Sequence, residues 1–187
     1  KGVITALWDD NIIVDIGSKQ DAFIPPRDLE AVSPELVESL HVGSEIHVLV
    51  RRILEDGSII VSLADALQES DWLRATELLE SGDVVDCPVV DVNRGGVLVL
   101  FGRLTGFVPA SSLYPPLHIR KEEDRVERFR QLIGQTLTLK VVEVNRRRHR
   151  LILSQREARA VLQQRRLETL MTTLHIGEHV RGRVHTL

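Results

Sequence analysis

The stretch "VNRGGVLVLFGRLTGFVPASSL", Val92–Leu113, decides the reading of this 187-residue chain. A run of alternating apolar residues is broken by two turn signals, Asn93–Gly96 and Gly102-Arg103. Period two is the spacing of a strand with one buried face, and an Asn/Gly-rich four-residue break suits a tight hairpin. Working outward, alternation predicts five short strands near 84–92, 97–101, 104–108, 136–144 and 149–154. Between the third and fourth strands, Ser111 or Ser112 is placed to cap a short helix that Pro115-Pro116 interrupts. The charged stretch Arg120–Arg130 then resumes helical spacing through Val126, Phe129, Leu132 and Ile133.

The same pattern occurs earlier in the chain. "GSKQDAFIP" (Gly17–Pro25) is one residue longer than "GRLTGFVP" (Gly102–Pro109) and closes the same kind of alternation. "GSEIHVLVRRILEDGSIIVSL" (Gly43–Leu63) matches "GQTLTLKVVEVNRRRHRLILS" (Gly134–Ser154), and "GDVVDC" (Gly82–Cys87) matches "GEHVRG" (Gly177–Gly182). A period near ninety residues is too long for a solenoid unit, so each copy is expected to be a small domain. The expected organisation is a first barrel over 1–63, a connector helix over 64–82 and a second barrel over 83–154. A second connector helix over 155–176 and the first strand of a third repeat over 177–187 complete it. Trp72, Ala75, Leu78 and Leu79 mark one face of the first connector, and Ala158, Val161, Leu162, Leu167, Leu170, Met171 and Leu174 one face of the second. Both stripes read as surfaces packed on their own barrels. The predicted class is mainly β: tandem five-stranded Greek-key barrels of the oligonucleotide-binding (OB-fold) type, joined by connector helices. The chain opens inside a strand and reads as part of a longer protein.

Composition narrows the function. No apolar run approaches the roughly 20 residues of a membrane span, and no signal peptide is visible. Cys87 is the single cysteine, which fits a reducing cytoplasm. Net charge is −3, but residues 1–63 hold 5 Lys/Arg against 11 Asp/Glu, whereas residues 83–154 hold 12 against 8. The asymmetry settles on the loops. In this barrel type ligands meet the strand 2–3 face and the loops joining strands 1–2 and 4–5. In the second copy these loops carry Arg94 and Arg146-Arg147-Arg148, with His149 and Arg150 adjacent; Arg103, in the turn between strands two and three, and Lys140, on strand four, add charge. In the first copy they carry Asp9-Asp10-Asn11 and Glu55-Asp56-Gly57. The basic residues are the RNA-binding candidates, because guanidinium groups pair with phosphate. Phe101 and Tyr114 are candidate stacking rings, while Phe23 and Phe107 read as core. Trp8, beside Asp9 and Asp10, is a candidate protein-docking point, since that setting repels phosphate.

Catalytic readings fail on spacing. His175 and His179 have Gly177 between them and no cysteine nearby, so no metal site is expected. There is no P-loop, Ser111-Ser112 has no paired base, and neither Asp9-Asp10 nor Glu122-Glu123 suggests an acid–base pair. No cofactor, no small-molecule substrate and no enzymatic activity are expected.

Taken together, Val92–Leu113, the closing "VVEVNRRRHRLILS" (Val141–Ser154) and the Trp72-Leu73 helix resemble the S-one RNA-binding domain. That family is named for the largest protein of the bacterial small ribosomal subunit. The degenerate first copy and the order of the copies resemble domains one and two of that protein, with the start of domain three. The resemblance implies a ribosome-associated, cytoplasmic protein that holds single-stranded mRNA during translation initiation. It further implies that the first domains attach to small-subunit proteins. Where RNA-binding members place two exposed aromatics, this alignment puts Val92 and Val97 in the second copy, and Leu7 and Ile12 in the first. The histidine after strand three becomes Pro109 and Pro25, and the acidic and basic positions near the last strand become Asn145 and His149 or Arg150. A purely protein-docking module, and accessory domains of a ribonuclease or transcription factor, are the alternative readings.

Overall fold

A computed structural model describes residues 1–8, 11–115 and 122–173. Packing divides it into two units: residues 1–77 with 100–105, and residues 78–99 with 106 onward.

The first copy begins with β1 (Gly2–Trp8), β2 (Asn11–Asp15) and β3 (Ala22–Ile24). Two short helices follow, α1 (Pro26–Glu30) and α2 (Pro34–Ser39), and then β4 (Glu45–Ile46), β5 (Leu49–Ile53) and β6 (Ile59–Ser62). Hydrogen bonding orders the strands β4-β1-β2-β3-β6-β5 in a curled sheet. Its two edges, β4 and β5, are halves of one segment interrupted only at His47-Val48, so the expected fourth strand is present but broken. Ile4, Ile12, Val14, Ile24 and Val61 are fully or nearly fully buried inside the curl.

The second copy is complete. β7 (Val84–Asn93), β8 (Gly96–Phe101), β9 (Leu104–Pro109), β10 (Thr136–Asn145) and β11 (Arg150–Ser154) close into a barrel ordered β10-β11-β9-β8-β7. The observed strands match the predicted ones to within a residue at each end. The copies also share irregularities that alternation alone would not give. β1 slips register between Ile4 and Ala6 against β2, and β7 slips between Val89 and Asp91 against β8. A second slip falls at Val50–Arg52 in one copy and Val141–Glu143 in the other. Bulges at matched positions turn the long strands around the barrel corner. β3 and β6 pair in parallel, as do β9 and β11, which is the Greek-key closure expected.

Each last strand runs straight into a helix, α3 (Leu63–Ser81) or α5 (Gln155–Thr173). A buried serine manages both junctions. Ser62 Oγ accepts the Asp65 N–H and Ser154 Oγ accepts the Glu157 N–H, satisfying a first-turn donor as an N-cap does. In the first copy buried Asp28 reinforces the junction by accepting from the Ser62 hydroxyl and from the Leu63 and Ala64 N–H groups.

Three expectations change. Ser111 and Ser112 cap no helix but lie in a 3-10 turn, Ala110–Ser112, whose cap position is Pro109. The helix of the insertion is α4, Glu122–Arg130, and Phe129 from it is fully buried. Along α5, Ala158 is buried, but Leu162, Leu167, Leu170 and Met171 are exposed, so that stripe is not packed as expected. On α3, Trp72 and Ala75 are buried while Leu79 is exposed. Pro116, Arg120, Leu174, His175, His179 and the third repeat at 177–187 lie outside the described residues.

Candidate nucleic-acid interface

The phase of β9 sets the site. Leu104 and Val108 are buried, and Gly106 points inward against Leu153 and Val99. Thr105, Phe107 and Pro109 therefore point outward, with Phe107 half-buried. This corrects the reading of Phe107 as core, and the same correction applies to Phe23, outward between buried Ala22 and Ile24. On β8, Val97, Val99 and Phe101 are buried and Leu98 faces out. Val97 is fully buried, so it cannot occupy a stacking position; the outward residue next to it is Leu98. Phe101 is only 2% exposed, with the Arg74 guanidinium 5.5 Å from its ring centroid, so it is not the exposed stacking ring expected.

Phe107 links the two basic loops. A Cβ added at Gly95 would lie 3.4 Å from Phe107 Cζ, so the ring rests against the β7–β8 turn that carries Arg94. On its other side Phe107 stands opposite Ile152 in the parallel β9–β11 pair. Arg150 lies two residues earlier on β11, on the same outward face and about 6.6 Å along the strand. Arg150 pairs with Glu143 at 3.9 Å. The turn before it, Arg146–Arg148, is a 3-10 turn. Asn145 Oδ1 accepts the Arg148 N–H at 3.1 Å, and His149 closes the loop in the left-handed region at φ 47°. The three arginines, His149 and Arg150 are all exposed. An aromatic ring between two arginine-bearing loops is the combination that single-strand binding uses, with stacking for the base and positive charge for the backbone.

Two basic candidates fall elsewhere. Lys140 sits mid-strand on β10 opposite Ser154 and makes a 3.8 Å ion pair with Glu157 of α5. It lies about 17 Å of extended strand from the arginine turn. Arg103 follows β8, whereas Arg94 precedes it, and its N–H donates to Asp71 of α3. Tyr114 is 41% exposed but lies after the 3-10 turn with the Arg159 guanidinium 3.9 Å from its ring centroid, apart from the arginine loops.

The first copy keeps the frame and exchanges the charge. Phe23 stands opposite Ile60 in parallel register, as Phe107 does opposite Ile152. Asn11, Phe23, Pro25, Leu54, Ser58 and Ile60 line a shallow cavity of about 310 Å³ on that face. Its flanking turn is Glu55-Asp56-Gly57, with Gly57 at φ 85° in the left-handed position that His149 fills in the second copy. The Ser58 N–H donates to Asp56, which holds that carboxyl below its ordinary range. Trp8 is 68% exposed at the end of β1, while Asp9 and Asp10 lie outside the described residues.

The outward phenylalanines were the residues that sequence reading missed. The signal was present in the phase: inward Leu104 and Val108 force Phe107 outward.

Comparison with known proteins identifies the family. The model of the S1 RNA binding domain matches residues 1–64 and 78–156. The "Small ribosomal subunit protein bS1" of Synechococcus elongatus is 34% identical over 98% of this chain and 57% of its own length. A "Small ribosomal subunit protein bS1 homolog" of Bacillus subtilis is 31% identical over 100% of this chain and 47% of its own. The "Small ribosomal subunit protein bS1" of Mycolicibacterium smegmatis is 33% identical over 83% of this chain and 31% of its own length. The chain spans about half the length of the curated relatives it matches, or less.

Proposed function

This chain belongs to the S1 RNA-binding domain family, and from that premise we propose that its second barrel grips single-stranded RNA across the Phe107 face. The observation that carries the proposal is the position of Phe107, against the Arg94 turn on one side and opposite Ile152, next to Arg150, on the other. Phe107 supplies one stacking surface, and Arg94, Arg146, Arg147, Arg148 and Arg150 supply phosphate contacts. With a single ring on this face, binding is weak and indifferent to sequence, and charge dominates it. The relatives are ribosomal proteins of the small subunit by name, and the role proposed for the whole protein is to hold mRNA there during translation initiation.

The test is a titration of the chain with a short single-stranded RNA at several salt concentrations. Log affinity should fall with log salt by about 0.7 for each phosphate neutralised on a single strand, and replacing Arg146, Arg147 and Arg148 with alanine should flatten that slope by up to about 2. A triple variant that keeps both the parent affinity and the parent slope would remove this face from consideration.

A second role is favoured for the first copy. Its acidic turn repels phosphate, and Trp8 is open on the same domain, so its partner is proposed to be protein of the small subunit. Chemical-shift mapping that placed RNA on the Phe23 face would overturn that assignment.

A further inference from the structure

The second unit carries another concave surface, built from the insertion, the start of β10 and the first turns of α5. Two adjoining cavities of about 370 and 230 Å³ share Tyr114, Leu137 and Gln155 as lining residues. The larger falls within the range of about 300–1,000 Å³ typical of small-ligand sites. Thr136, which lines the smaller one, opens β10, whereas the arginine turn follows the end of the same strand, up to about 30 Å of extended chain away. The surface is therefore separate from the Phe107 face, and the proposed RNA site does not account for it.

Its lining has a specific chemistry. Tyr114 and Arg159 form a stacked pair, 3.9 Å from guanidinium carbon to ring centroid, on a side chain that is still 41% exposed. The Tyr114 N–H donates to Gln155 Oε1 at 2.8 Å, which fixes the base of the pair. Gln131 and Gln135 present amides to the larger cavity, and Gln135 Nε2 is anchored on the Gln131 carbonyl at 2.8 Å. Arg128 supplies a second cation. Among the described residues no carboxylate lines either cavity; Asp86, beyond the rim, is engaged by the Thr138 hydroxyl at 2.6 Å. Aromatic and guanidinium planes stack on nucleobases, amides offer paired donors and acceptors to base edges, and arginine takes phosphate.

We propose that this groove is a nucleotide-binding site, taking one ribonucleoside monophosphate unit with its base against the Tyr114–Arg159 pair and its phosphate toward Arg128. The unit comes either from a free nucleotide or from a strand of RNA. Tyr114 is the only tyrosine in the chain, so incorporation of 3-fluorotyrosine gives a single 19F signal that reports on this groove. The labelled full chain is titrated with AMP and, in a separate arm, with a short single-stranded RNA. A saturable shift in both arms identifies the mononucleotide unit as sufficient, and a shift with RNA alone assigns the site to a strand. A shift with AMP alone assigns it to the free nucleotide. Arg159→Gln should weaken the responding arm roughly two- to fivefold, the loss of one exposed cation–π contact. Tyr114→Leu, followed through the Thr136 and Thr138 amides, should weaken it about fivefold or more. The AMP response should survive alanine replacement of Arg146, Arg147 and Arg148, which separates this site from the Phe107 face. An unmoved 19F signal in both arms at millimolar ligand would overturn the proposal. So would an equal shift with inorganic phosphate or with an acidic peptide, because either would mean a general anion surface.

Discussion

Phe107 and Ile152 stand opposite each other in the parallel β9–β11 pair, and Phe23 and Ile60 do the same in the first copy. One hydrophobic frame is thus built twice, and what differs is the charge of the turn beside it. If the Phe107 ring stacks on a base, Phe107→Ala should lower RNA affinity by about 1–3 kcal/mol. Phe23→Ala should leave it unchanged. Binding isotherms for the two variants at one salt concentration decide the matter, and equal losses would show that the frame, not the charge, selects RNA.

How far the sequence carries depends on what reports the phase of a strand. Period-two runs located all five strands of the second copy, because Val97, Val99, Leu137, Leu139, Val141, Leu151 and Leu153 are both apolar and buried. Orientation was lost where the inward residue has no side chain. Gly106 is an inward position with nothing apolar to mark it, so apolar alternation puts Phe107 in the core in its place. Phe101 is the converse case: it continues the inward series of Val97 and Val99, so its ring is buried and not free to stack. The break of the first copy's fourth strand at His47-Val48 had no sequence signal, since Ile46, Val48 and Val50 keep alternation across it, although all five residues of β5 are exposed. The charge contrast between the 4–5 loops was legible from composition alone, because a turn exposes whatever it carries.

Gly96 tests the closeness of β8 to β9. A Cβ there would run into the Val108 carbonyl oxygen, with Pro109 Cα at 3.0 Å, and backbone cannot step aside as a side chain can. Gly96→Ala should therefore destabilise the second barrel by about 1–3 kcal/mol, the usual cost of overpacking. Gly95→Ala, whose Cβ would meet Phe107 Cζ at an ordinary 3.4 Å, should cost much less. Chemical denaturation of both variants measures the difference.

Arg51 and Asp65 give the first unit a pH dependence. Two hydrogen bonds join them, from Arg51 Nε and from one terminal nitrogen, and they hold the Asp65 carboxyl below its ordinary range. The folded state therefore binds fewer protons than the unfolded chain between the two pKa values. The stabilisation is complete above the unfolded value near 4 and is lost as pH falls through the folded one. Arg51→Gln should accordingly lower the unfolding temperature at neutral pH, and the gap to the parent should narrow below about pH 4. A gap that stayed constant into acid would mean that Arg51 stabilises by packing its stem, not by its charge.

The last prediction converts one copy toward the other. The first copy has Phe23, Ile60 and the shallow face between them, but its turn presents Glu55 and Asp56 where the second presents arginines. Asp56 also accepts the Ser58 N–H at 2.9 Å and Gly57 holds the left-handed position, so the turn must keep an acceptor at 56 and a glycine at 57. Glu55→Arg with Asp56→Asn meets both conditions, since asparagine retains the acceptor oxygen while losing the charge. With the repulsion removed and one cation added, the first copy should gain salt-dependent RNA binding. The total salt slope of the chain should steepen by about 0.7, one further phosphate neutralised. The gain should persist when Arg146, Arg147 and Arg148 are replaced by alanine, and Phe23→Ala should then abolish it. If the double variant binds no better than the parent, loop charge is not what separates the two copies.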